Sequence, residues 1–176
     1  MATAGVVGLV VAATGSGSPA ATGTSTTAGV VTSLLPTTTA VELNVERFEG
    51  LSRNHTTGRV RYAQRPPVGG DHHPDPQPCG LYDAPVPDER AVHSLEHGAV
   101  WLTYRPDLPV AQVDRLRAWA PVGYVLVSPY AGQTDPVVAT AWGVQMRLAN
   151  ADEVLLRRFI DSHKLSSGAP EAGGPC

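Results

Sequence analysis

Residues 93 to 98 read HSLEHG, with two histidines four positions apart and a glutamate directly before the second. Positions i and i+4 share one face of a helix, so His93 and His97 can converge on a single point if this stretch is helical. Glu96 then sits one turn from His93. Imidazole is the commonest protein ligand for transition metals, and three or four of them suit zinc or copper. The rest of the chain supplies more: five of its six histidines, His55, His72, His73, His93 and His97, fall between positions 55 and 97. A histidine buried for structural reasons is normally a lone residue satisfied by a backbone carbonyl. Five within a third of a chain point instead to a shared ligand, with His55, His72, His93 and His97 as its holders.

Glu96 has several roles open to it. HSLEH fits H-x-x-E-H, the inverted zinc-protease pattern in which the glutamate activates metal-bound water. That chemistry needs a further acidic ligand downstream, and choosing Asp114 or Asp135 for it would be arbitrary. Glu96 is therefore a candidate catalytic base, a candidate ligand, an orienting partner for an imidazole, or an exposed helix residue. Cys79 lies seven residues after His72 and is either a thiolate ligand or one half of a disulfide with Cys176. Met146 is either a thioether ligand suited to Cu(I) or a filler of the core. His163 reads as a surface residue. The sequence contains no phosphate-binding glycine loop, no nucleophile elbow and no Cys-x-x-Cys pair.

These residues need elements to position them. The chain has 176 residues and a formal net charge of −3, which suits one domain with a tail and gives no basic face for nucleic acid. Residues 1–40 are set apart by composition. The apolar run GVVGLVVAA, residues 5–13, is too short to span a bilayer, and a Gly/Ser/Thr/Ala linker follows it. Two readings stay open: a disordered tail, or the remnant of a signal or membrane anchor. The folded domain is expected over residues 41–176.

Within that domain, GRVRYAQ (58–64) alternates like a short strand. RPPVGGDHHPDPQPCG (65–80) has five prolines and reads as a rigid loop, able to hold His72 in place. PDERAVHSLEHG (87–98) has a proline and two acids at its start and a glycine at its end, the punctuation of a helix. AVWLTY (99–104) and YVLVSPY (124–130) read as buried strands, and PVAQVDRLRAWA (109–120) as an amphipathic helix. DPVVATAWGVQMRL (135–148) is ambiguous, although its β-branched start favours strand. ADEVLLRRFIDSHK (151–164) reads as a helix with Val154, Leu155, Phe159 and Ile160 turned inward, and the tail after it as loop. Trp101, Trp119 and Trp142 read as core. The pattern is α/β or α+β: one compact domain, a small mixed sheet packed by about three helices.

HTTGRVRYAQRPPVGGDHH, CGLYDAPVPDERAVHSLEHGAVWLTYRPDLP, VLVSPY and TAWG together resemble the bacterial family known as domain of unknown function 3105, over about residues 41 to 164. PPVGG-x-H combined with HSLEHG and AWG is specific. The resemblance implies a family pattern on His55, His72, His93, Glu96 and His97, with Tyr62, Pro66, Pro67, Gly70 and Trp142. His73, His163 and Met146 fall outside it. It also implies an N-terminal membrane anchor or signal, hence a secreted or membrane-tethered, extracytoplasmic protein.

The expectation is a multi-histidine metal site of His55, His72, His93, His97 and Met146, with Glu96 catalytic. Copper is favoured over zinc by the affinity order of imidazole sites and by export from the cytosol. The corresponding function is a copper-dependent oxidoreductase acting on a small molecule or peptide. The alternatives are a zinc hydrolase or lyase using Glu96 as base, and a non-catalytic metal carrier or sensor.

Overall fold

The two apolar runs after the HSLEHG segment lie side by side at the centre of a mixed sheet. The structure, a computed structural model, describes residues 43–176, so the tail reading of residues 1–40 lies outside the described residues. In chain order the elements are β1 (Glu46–Arg47), β2 (Gly80–Leu81), α1 (Asp88–Glu96), β3 (Val100–Tyr104), α2 (Val110–Arg117), a 3-10 turn (Ala120–Val122), β4 (Val125–Pro129), β5 (Val137–Ala141), β6 (Val144–Leu148) and α3 (Glu153–His163). The sheet order is β1-β6-β5-β3-β4-β2. β4 is parallel to both β2 and β3, whereas β5 runs antiparallel to β3 and β6. This is a single compact α+β domain. Among the described residues, no helix is long and apolar enough to cross a membrane.

The sheet buries both faces, which explains why β3 and β4 are apolar without alternation. On one face α1 packs Ala91 and Leu95 against Trp101 and Leu126. On the other, Leu116 of α2 and Leu156, Phe159 and Ile160 of α3 pack against Val100, Leu102, Ala139 and Met146. The ambiguous segment 135–148 is a tight hairpin: Ala141 pairs with Val144 across Trp142 and Gly143, and Gly143 takes a positive φ of 67°. In α3 the inward set is Leu156, Phe159 and Ile160, while Val154 is 57% exposed. GRVRYAQ is not a strand. Its Val60 N–H donates to the Glu89 carboxylate instead of a neighbouring strand, so alternation alone did not make a ladder.

Candidate metal centre

α1 is a short helix with two different faces. Ala91 and Leu95 turn to the sheet, while Glu89, His93, Glu96 and His97 follow at helical spacing on the side facing the proline-rich loop. Asp88 and Glu89 favour the N-terminal end through the helix dipole. Gly98, with φ of 91°, lets the chain turn out of the helix, and a Cβ there would meet the Leu165 backbone at 3.0 Å.

The proline-rich loop is tied to this helix by its backbone. The N–H groups of His73 and Gln77 donate to the carbonyls of Glu89 and Arg90, and the Ser94 hydroxyl donates to the Gln77 carbonyl. Tyr62 donates its hydroxyl to the Asp71 carbonyl at 2.7 Å, clamping the loop just before His72. His55 is then fixed relative to His72 by an isolated parallel bridge, in which Thr56 N–H donates to His72 O and His72 N–H donates to Asn54 O. Three separate stretches of chain thus meet. The ring centroids of His55, His72 and His93 form a near-equilateral triangle with sides of 4.9, 5.0 and 4.9 Å. Trp142 stands edge-on to His72 at 5.9 Å and walls this side of the cluster.

The hydrogen bonds set the tautomers. His72 Nδ1 donates to Gly70 O at 2.8 Å, His93 Nδ1 to His73 O at 2.7 Å, and His97 Nδ1 to Pro175 O at 2.6 Å. A carbonyl can only accept, so each Nδ1 carries the hydrogen and each neutral ring presents a bare Nε2. These Nε2 atoms are aimed at one another and at a carboxylate. His93 Nε2 lies 3.0 Å from His97 Nε2, and His72 Nε2 lies 2.9 Å from Glu96 Oε2. The second contact leaves His72 Nε2 fully buried without a hydrogen-bond partner. Lone pairs brought this close need a proton or a metal ion between them. Burial pushes the His93 pKa down, and the neighbouring His97, His72 and His55 push it the same way, although its bond to His73 opposes them. A proton on the His93 ring is therefore disfavoured, and a metal ion fits the gap beside its Nε2.

One donor atom each from His55, His72, His93 and Glu96 lies within 4.8 Å of the others. His97 adjoins this group through His93. Each of the three buried rings, His72, His93 and His97, uses its Nδ1 on a backbone carbonyl, an arrangement that fixes metal-binding histidines in orientation. His72, His93, Glu96 and His97 are buried and His55 is exposed, so the group opens toward solvent on the His55 side. A polar cleft of about 500 Å³, lined by Leu51, Ser52, Arg53, Asn54, Glu96 and Glu171, reaches the group at Glu96.

Four of the histidines expected at the site are brought together. Glu96, expected as a catalytic group, stands among the donors themselves. Met146 does not join them. It alternates with Gln145 on β6 and packs with Val144 and Leu148 in the core on the α2–α3 face of the sheet, away from α1. Its thioether fills core space there. Cys79 is disulfide-bonded to Cys176, with the Cα atoms 5.0 Å apart, and is not a ligand. His73 turns its ring outward to Asp75, and His163 is half-buried against Phe159. Sequence reasoning missed the C-terminal residues Glu171 to Pro175, whose loop-like composition carries no sign that they reach His97.

A family model described as "Protein of unknown function (DUF3105)" matches residues 54–176, a span running from the residue before His55 to the last cysteine. No curated protein and no solved structure matches the chain significantly.

Proposed function

Since the chain belongs to the DUF3105 family, whose name assigns no activity, we propose from the site alone that it is a copper-binding oxidoreductase working outside the cytosol. His55, His72, His93 and Glu96 would hold the ion, with His97 as a fifth donor. The observation that carries this reading is the buried, partnerless His72 Nε2 facing the Glu96 carboxylate at 2.9 Å. Nitrogen-rich sites prefer Cu(II) to Zn(II) in the usual order of divalent ions, and four imidazoles with one carboxylate suit a tetragonal ion better than a closed tetrahedral one. Bound copper would supply one-electron redox chemistry at the inner end of the cleft.

The chain's own contribution is binding and orientation. The three carbonyl-held imidazoles keep their Nε2 lone pairs converged without rearrangement. The cleft lined by Arg53, Asn54 and Glu96 would admit a small polar molecule or a peptide end. The Cys79–Cys176 disulfide supports an oxidising compartment, in keeping with a secreted or membrane-tethered protein. Zinc-bound water chemistry with Glu96 as base draws less support, because that carboxylate is turned into the donor group.

Copper-loaded, untagged protein tests the reading by paramagnetic resonance. The expected signal is nitrogen-rich Cu(II) that ascorbate abolishes and air restores. A signal like that of loosely bound surface copper, or zinc that copper does not displace, would overturn it.

A further inference from the structure

The end of α1 is covered by residues 171–175. A helix leaves its last carbonyls without intrahelical partners. Here Glu171 N–H donates to Glu96 O and Gly173 N–H to His97 O, both at 3.0 Å. Tyr124 fastens the same segment by donating its hydroxyl to the carbonyls of Gly173 and Gly174. Pro175 O accepts from His97 Nδ1 at 2.6 Å, and the next residue, Cys176, is bonded to Cys79 in the loop that carries His72. Gly174 lies flat against the His97 ring: a Cβ there would stand 2.6 Å from its Cγ and Cδ2. Gly174 is thus required by close approach to the ring.

We propose that residues 171–176 are a disulfide-anchored strap built into the metal centre, positioning His97 as a ligand through the Pro175 carbonyl and the bare face of Gly174. This rests on the metal-binding reading above. Without the strap, His97 Nδ1 loses its acceptor, the ring is free to flip or change tautomer, and its Nε2 is no longer held 3.0 Å from that of His93. The disulfide ties the strap to the His72 loop, so both walls of the site share one covalent fastening. Pro175 and Gly174 act through His97 and are positioning residues.

The test is Cu(II) binding to the full chain, by chelator competition and paramagnetic resonance, for wild type, Gly174→Ala, Cys79→Ser/Cys176→Ser and His97→Ala. Substitution is used in place of thiol reductants, which themselves bind and reduce copper. Gly174→Ala and the double cysteine variant should each weaken copper about 10- to 100-fold, the usual cost of losing a group that orients a metal ligand. Their spectra should shift toward that of His97→Ala. Wild-type affinity and an unchanged spectrum in both strap variants would overturn the strap. Wild type that takes up no copper would overturn the metal site as well, so the two failures are distinguishable. If a strap variant does not fold, ¹⁵N imidazole shifts of the wild type decide: His97 protonated at Nδ1 is expected, and His97 protonated at Nε2 overturns the proposal.

Discussion

His72 Nε2 lies 2.9 Å from Glu96 Oε2, fully buried and without a hydrogen-bond partner. His72 Nδ1 is engaged with Gly70 O at 2.8 Å, and Glu96 is 2% exposed. A carboxylate in such a place is costly to leave without a donor or a cation, because burial strips its hydration. On the proposed metal reading, a bound cation relieves this contact.

Glu96→Gln should separate stability from metal binding. The amide can donate a hydrogen to His72 Nε2 and removes the buried charge. Metal-free protein is expected to gain about 1 kcal/mol, seen as a rise of a few degrees in melting temperature. Copper affinity should fall at the same time. A variant that loses stability while keeping full affinity would contradict the role of Glu96 as a ligand.

Met146→Leu should leave the metal untouched. The side chain is 2% exposed within the core on the far side of the sheet, and the swap nearly conserves volume. The expected cost is less than about 1.5 kcal/mol by urea unfolding. Unchanged copper affinity is expected, and a clear loss would place the thioether at the site after all.

His163 predicts a pH dependence apart from the metal cluster. Burial against Phe159 pushes its pKa below the usual histidine value, and the nearby Arg47 pushes the same way. The fold thus favours the neutral ring. Its contribution to stability is fully present above the unfolded value of about 6.5 and is lost as pH falls through the lower folded value. His163→Asn should flatten that part of the decline in urea midpoint between neutral and mildly acidic pH. An identical decline in both proteins would assign the effect to other groups.

Much of this was legible in the residues, for reasons that differ between elements. Helix α1 announced itself through Pro87, Asp88, Glu89 and Gly98, and the i, i+4 spacing alone placed His93 beside His97. The loop delivering His72 was legible as rigid because proline fixes φ. The direction of Glu96 was not legible, since it depends on where a loop some twenty residues earlier sets His72. Met146 could have been placed: once 144–148 is taken as a strand, Val144, Met146 and Leu148 share one face and the methionine belongs with the core. GRVRYAQ shows the converse, because alternation names a strand only when another strand is free to pair with it. Of the strap, only its anchor could be read, as one of two roles open to Cys79. The strap's other residues look like any Gly/Pro-rich end, and their meaning lies in two backbone contacts with a ring 78 residues away.

Metal content of untagged protein, measured with that of His72→Ala and His93→Ala, tests the central claim most directly. Wild type should take up one equivalent of copper and melt at a higher temperature with it. Ligand at 1,000 times its dissociation constant stabilises by about 4 kcal/mol. Each single variant should lose both the equivalent and the shift while remaining folded. One equivalent of copper retained in both variants, with the same gain in melting temperature, would show that the cluster of His55, His72, His93, Glu96 and His97 is not a metal centre.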